Sequence, residues 1–197
     1  MAAPTDASSP LSYPPSKTAL ILLDFQNFIV AHVGPGAQTA VANAKKLQNW
    51  AQAKGVLVIH SIVDTALPPP ANVKDAARLG AWVSSLDAHD AAITDTLDPI
   101  HVFKKRPGIV SGLKAEGIMD FLREKRIESL LLCGFSTSGA VLRTAVPVTD
   151  EGFVVSVVGD ACADPKGGVH EVLLGQVMGS RAYVVESDEV VGSYCKV

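Results

Sequence analysis

Ala19-Leu20-Ile21-Leu22-Leu23-Asp24-Phe25-Gln26-Asn27 is the stretch on which the fold turns: an apolar run of strand length ends on a carboxylate, and two amides follow in the same loop. A continuous apolar run suits a strand covered on both faces, as in a parallel sheet. Comparable runs recur, and they predict strands near Ala19–Asp24, Val56–Ile62, His101–Lys104, Ser129–Gly134, Phe153–Val158 and Arg181–Val185. Amphipathic stretches between them predict helices near Gln38–Lys54, Gly112–Lys125, Ser138–Asp150 and Val169–Val177, with Pro147 kinking or shortening the third. This alternation predicts a single-domain, doubly wound (Rossmann-like) α/β fold, with a mostly parallel six-stranded sheet and helices on both faces. Residues 64–98, which include Pro68-Pro69-Pro70, read as an irregular excursion rather than a second domain. Residues 1–16, rich in Pro, Ser and Ala, read as a flexible N-terminal arm before a domain spanning 17–197.

Composition narrows the function. A chain of 197 residues that is 48% hydrophobic can bury one full core but is short for two. The 17 basic and 20 acidic residues include no Lys/Arg-rich run of the kind that phosphate backbones require, so nucleic acid is not an expected partner. No apolar run approaches the ~20 residues of a membrane span, so no membrane partner is expected either. Three cysteines, Cys133, Cys162 and Cys195, show neither disulfide nor zinc spacing, and reduced thiols are expected. The N-terminus lacks the basic start and apolar stretch of a secretory signal, which predicts a cytoplasmic protein, although unconventional secretion would leave no trace. Cys195 stands third from the end, where prenylation needs a cysteine fourth from it. A mean hydropathy of +0.26 leads us to expect a homo-oligomer that buries apolar surface between subunits.

Ligands of such sheets bind beyond the carboxyl ends of the strands, so polar residues that close apolar runs are the candidates. Asp24 is the first. An acid in that place is as often a helix cap as a reacting group, and its neighbours must decide. Lys104 closes His101-Val102-Phe103 and opens Lys104-Lys105-Arg106-Pro107-Gly108; as a solvated basic loop it would be unremarkable, yet a parallel sheet brings a lysine there within reach of Asp24. The third candidate is the strand and turn Leu130-Leu131-Leu132-Cys133-Gly134-Phe135-Ser136-Thr137-Ser138-Gly139-Ala140-Val141. Its glycine spacing imitates a phosphate loop, but Ala140 and Val141 stand where that loop needs Lys and Ser/Thr. Backbone N–H groups at the following helix start could still hold an anion. The same stretch is a near miss for a serine nucleophile elbow at Ser136, with Asp160 and His170 following in the chain order of a triad. Ser136 and Thr137 are also ordinary turn and cap residues.

Asp24-Phe25-Gln26-Asn27-Phe28, Lys104-Lys105-Arg106-Pro107-Gly108 and Gly134 to Val141, in this order and followed by Thr144-Ala145 and Gly159-Asp160-Ala161, resemble the isochorismatase-like hydrolases from about Thr18 to the last strand. The family pattern combines a D-x-Q-x-x-F opening, a K-x-R loop and a G-x-x-T-x-x-C-V turn. Ala140 departs from it: most relatives, nicotinamidases among them, carry a nucleophilic cysteine there, and alanine cannot form a thioester. Cys133 lies inside an apolar run and does not replace it. The nicotinamidase metal pattern is not visible near His60 and Asp64, and no metal or organic cofactor is implied.

Isochorismatases themselves dispense with the cysteine, because a vinyl ether is cleaved by protonating carbon. The resemblance therefore implies hydrolysis of isochorismate, or a close analogue, to pyruvate and a dihydro-dihydroxybenzoate, with Asp24 as general acid. In this reading Lys104, favoured over Lys105 by the K-x-R spacing and the strand end, binds a substrate carboxylate. An ammonium beside Asp24 lowers its pKa, and the two substrate carboxylates would offset that charge. Gln26, Phe28, Ser136, Thr137 and Gly139 are the implied substrate contacts, and a non-proline cis peptide is implied at Phe135–Ser136. Three alternatives stay open: an amidohydrolase whose nucleophile is replaced by Ala140, a serine hydrolase using Ser136, and an inactive ligand-binding protein.

Overall fold

The computed structural model describes residues 6–196. Six strands form one parallel sheet in the order β3-β2-β1-β4-β5-β6. They are β1 (Thr18–Leu23), β2 (Leu57–Val63), β3 (His101–Lys105), β4 (Ser129–Phe135), β5 (Val154–Ala163) and β6 (Tyr183–Val185). Every residue of β1 and of β4 is buried. Alternate strand residues point to opposite faces, so both faces of the sheet are covered at its centre. The long helix α2 (Gly36–Lys54) packs along the sheet and against the C-terminal helix α8 (Ser187–Ser193). Helix α5 (Ile118–Glu124) and helix α6 (Leu142–Thr149) flank the turn Gly112–Lys114, which lies against Leu23 and Ser61.

The doubly wound architecture agrees with expectation, and the differences lie at element ends. The predicted helix 112–125 is a single 3-10 turn followed by α5, because Gly117 adopts a left-handed φ of 78° between them. The helix predicted from Ser138 begins as an irregular turn, Thr137–Val141, and is regular only in α6. The stretch predicted as one helix over 169–177 is short α7 (Val169–Val172) followed by a wider turn. The excursion 64–98 carries α3 (Ala76–Ser84) and α4 (Ala88–Ala91), and the loop after β1 leads into α1 (Asn27–Val33). The part of the N-terminal arm that is described is not free chain. Residues 10–12 and 15–17 form 3-10 turns, Pro10 is buried, and the Tyr13 hydroxyl donates to the Ala7 carbonyl. Residues 1–5 of the expected arm lie outside the described residues.

Strand order reverses between β1 and β4, and this switch point is where a doubly wound sheet opens a crevice at its carboxyl edge. Gly134 makes the close approach possible. Its φ is 135°, and a Cβ there would lie 2.0 Å from the Leu23 carbonyl oxygen, so no side chain fits. Just beyond, the rings of Phe25 and Phe135 meet edge to face at 4.7 Å and tie the two strand ends together.

One core residue has a pH consequence. His60, on β2 between Leu22 and Val102, is fully buried with neither ring nitrogen hydrogen-bonded. Burial disfavours its charged form and lowers its pKa from 6.5 to about 4. The unfolded chain therefore binds the extra proton between these values, so the stability that His60 contributes above its ordinary pKa is lost as pH falls towards the folded one. Urea denaturation should show this site costing about 2 kcal/mol on going from about pH 7 to about pH 4.5. His60→Leu should flatten that part of the profile; an unchanged slope would show that other groups carry it.

Candidate active site

Asp24 follows β1 directly. Its backbone is left-handed, with φ 59°, and its N–H donates to the Ser61 carbonyl at 2.9 Å. Aspartate tolerates this conformation better than most residues, and it releases the carboxyl from the alternation of the strand. The carboxyl is buried and paired through Oδ1 with the Nζ of Lys105. Since β2 lies between β1 and β3, the pair bridges a gap of roughly 10 Å between strand axes across the end of β2. Burial raises the pKa of Asp24, while the charge and hydrogen bond of Lys105 pull it down; burial prevails and the direction is upward.

The lysine that meets Asp24 is thus Lys105, and the expectation for Lys104 is corrected. The strand runs one residue beyond its predicted end at Lys104, and parity does the rest. His101 and Phe103 pack on Phe121 of α5, at 5.1 and 5.2 Å between ring centres, and Lys105 shares their face. Lys104 points the other way and is exposed, at a surface groove of about 540 Å³ shared with Asp64, Lys114 and Glu116.

The turn after β4 begins with a cis peptide at Phe135–Ser136. Ala140 within it is buried, at 2% exposure. The amides expected to cradle an anion are largely spent on the protein: Gly139 and Val141 donate to the Ser136 carbonyl, and Ser138 donates to Asp164 Oδ2 at 2.7 Å. Gly139 is needed because a Cβ would lie 2.7 Å from the Ser136 hydroxyl. Thr137 is fully buried and its hydroxyl is 2.8 Å from His170 Nδ1, which turns it towards the β5 side. That bond and the two accepted by Asp160 remove the serine triad. His170 pairs with Thr137 rather than Ser136, and Asp160 takes the Ser187 N–H and hydroxyl at 2.8 and 2.6 Å.

Gln26 is not free to bind substrate. Its amide nitrogen donates to the carbonyls of Val63 and Ala91 at 3.0 and 2.8 Å, and its oxygen accepts the Val63 N–H at 2.8 Å. It fastens the end of the excursion beside Asp24, helped by Asn27 N–H to the Ala92 carbonyl and Thr94 N–H to the Phe25 carbonyl. Phe28 is buried against Trp82 of α3, with ring centres 5.3 Å apart. At its other end the excursion is held by the Arg106 guanidinium on the Pro68 carbonyl, at 2.9 and 3.1 Å. Residues 64–98 are therefore fastened beside the end of β1 by Gln26 and beside the end of β3 by Arg106. Among the described residues no cluster of three or more His, Cys, Asp or Glu side chains is placed to hold a metal ion. None of their helices is long and apolar enough to cross a membrane.

A parallel α/β sheet thus carries a buried acid–lysine pair at one side of its switch point and a cis-peptide turn at the other. The isochorismatase domain model matches residues 18–189, and the chain belongs to that family of hydrolases. It is 27% identical over 187 residues to the isochorismatase of Bacillus subtilis; the match covers 90% of this chain but 58% of that protein, so the chain spans little more than half the length of that relative. The fold is shared with a cysteine hydrolase of Pseudomonas syringae pv. phaseolicola (TM-score 0.77, 20% identity, 91% of this chain and 92% of that one). It is also shared with N-carbamoylsarcosine amidase of Thermoplasma acidophilum (TM-score 0.71, 23% identity, 89% and 99%).

The two lysines separate in a denaturation experiment. Lys105→Met strands a buried carboxylate, which should cost about 3–5 kcal/mol at neutral pH, whereas Lys104→Ala should stay within about 0.5 kcal/mol of the parent. Equal losses would contradict the pairing.

Proposed function

We propose that this chain hydrolyses the vinyl ether of isochorismate, or of a close analogue, and that Asp24 is the general acid. The observation that carries the reading is a buried carboxyl group with a raised pKa, paired to Lys105, in a site whose nucleophile position holds alanine. Amide hydrolysis through a covalent enzyme needs a nucleophile, and Ala140 offers none. A vinyl ether needs only a proton. Asp24 delivers it to the terminal vinyl carbon, the electron pair of the double bond forms the new C–H bond, and the cation is shared with the ether oxygen. Water adds to the oxocarbenium carbon and loses a proton. The resulting hemiketal breaks its C–O bond, releasing pyruvate and the dihydroxy-cyclohexadiene carboxylate.

Lys105 takes the part that the sequence suggested for Lys104. The ammonium beside Asp24 favours its charged form, against the effect of burial. A dianionic substrate engaging Lys105 offsets that charge, and the buried carboxyl then takes up the proton it later donates. Because Asp24, Lys105 and Ala140 are all buried, the excursion at the carboxyl edge yields when substrate enters. Phe28 and Trp82 would flank the substrate on that side.

Pyruvate and ammonia assays on three proteins test the reading. Asp24→Asn keeps the shape and removes the transferable proton, so pyruvate release from isochorismate should fall by about 10²–10⁴-fold. Ala140→Cys should leave vinyl-ether hydrolysis roughly intact, since no thiolate takes part. A parent that ignores isochorismate, with an Ala140→Cys variant that releases ammonia from nicotinamide, would make the chain a cysteine amidohydrolase without its nucleophile. That second reading draws on the same pair, because an acid and a lysine at this place could equally activate a thiol at position 140.

A further inference from the structure

The turn that carries Ala140 is held unequally on its two sides. Towards β1 it meets the Asp24 loop through Phe25 and Phe135 alone among the aromatic contacts of the described residues. Towards β5 it is pinned by hydrogen bonds from the segment that follows that strand. Asp164 Oδ2 accepts the Ser138 N–H at 2.7 Å, and the Thr137 hydroxyl meets His170 Nδ1 at 2.8 Å. Arg143, the second residue of α6, also holds the turn by donating to the Ser138 carbonyl at 2.5 Å. Thr137 is fully buried, so its hydroxyl has no water to replace a lost partner. Asp164 is fastened in its turn: its other oxygen accepts the Lys166 N–H at 3.1 Å, and these hydrogen bonds hold its pKa below the usual carboxylate value despite partial burial.

We propose that His170 is a positioning residue which, through Thr137 and together with Asp164, clamps the turn after β4 so that position 140 is held opposite the Asp24–Lys105 pair. Its part in turnover rests on the hydrolysis proposed above, whereas the clamp itself does not. A threonine hydroxyl both donates and accepts, so it bonds Nδ1 whether that nitrogen carries a proton or not. The clamp therefore holds in either tautomer of the ring. An asparagine side chain can place an amide atom where Nδ1 stands, and leucine cannot.

The test compares His170→Leu, His170→Asn and Thr137→Val with the parent. Hydrogen exchange of the amides of residues 138–141 should speed up in His170→Leu and return towards the parent in His170→Asn. Imidazole ¹⁵N spectra of the otherwise intact protein should show the Nδ1 resonance of His170 moving in Thr137→Val. In pyruvate release from isochorismate, His170→Leu should lose roughly 10–100-fold in kcat with KM little changed, the size expected of a displaced reacting geometry. His170→Asn should recover most of it with the pH profile of the parent. Asparagine as damaging as leucine, exchange at 138–141 indifferent to both, or an Nδ1 resonance unmoved by Thr137→Val would each overturn the clamp. A limb of the pH profile lost in His170→Asn would overturn positioning in favour of proton transfer. A parent that releases no pyruvate removes the proposed reaction and leaves the clamp to be decided by exchange and ¹⁵N spectra, which need no turnover. Should His170→Leu fail to fold, His170→Asn and Thr137→Val still decide it.

Discussion

A carboxylate and an ammonium buried together constrain the carboxyl edge of this sheet. Neither Asp24 nor Lys105 could be held there charged and alone, because taking a single ion out of water costs several kcal/mol that only a partner and hydrogen bonds offset. The pair therefore dictates backbone. Asp24 leaves β1 in a left-handed conformation, and β3 is extended to Lys105, whose carbonyl accepts the Asp64 N–H at 2.8 Å. The excursion after β2 is fastened at both ends, by Gln26 near Asp24 and by Arg106 next to Lys105.

The other half of the site is built by exclusion of bulk. Gly134 lets β4 approach the end of β1, and Gly139 leaves room for the Ser136 hydroxyl beside it. The turn thus formed spends its polar groups on the protein: Ser138 on Asp164, Thr137 on His170, and Gly139 and Val141 on Ser136. The side chain at position 140 is a methyl group. A family site with an acid, a lysine and no nucleophile is suited to moving protons rather than to forming acyl intermediates, and this is the sense in which Ala140 shapes the proposed reaction.

The sequence and the structure part at identifiable places. The apolar runs located all six strands, because a strand covered on both faces must be apolar throughout. Asp24 was legible as the polar residue that ends such a run. The K-x-R spacing and the end of the apolar residues at Phe103 favour Lys104 over Lys105, and nothing in a linear reading says that the strand continues through two lysines or which face each takes. The sequence points to Gln26 and Thr137 as substrate contacts, whereas both side chains are bonded within the protein. Their partners, backbone groups some 40 to 65 residues away for the one and His170 for the other, are long-range contacts with no local sequence signal. Asp164 went unnoticed for the same reason: Asp164-Pro165-Lys166-Gly167-Gly168 reads as a plain turn.

By itself, then, the sequence determined the layered architecture, the carboxylate that ends the first strand, and the alanine at position 140. These follow from periodicity and residue type, which are local properties of the chain. Only the tertiary structure decided which lysine meets Asp24, that Gln26 fastens a loop, and that His170 holds a turn and completes no triad. Each of those depends on strand parity, on a left-handed residue or on the crossing of distant segments, and it is packing in three dimensions that selects among the pairings a linear pattern leaves equally possible.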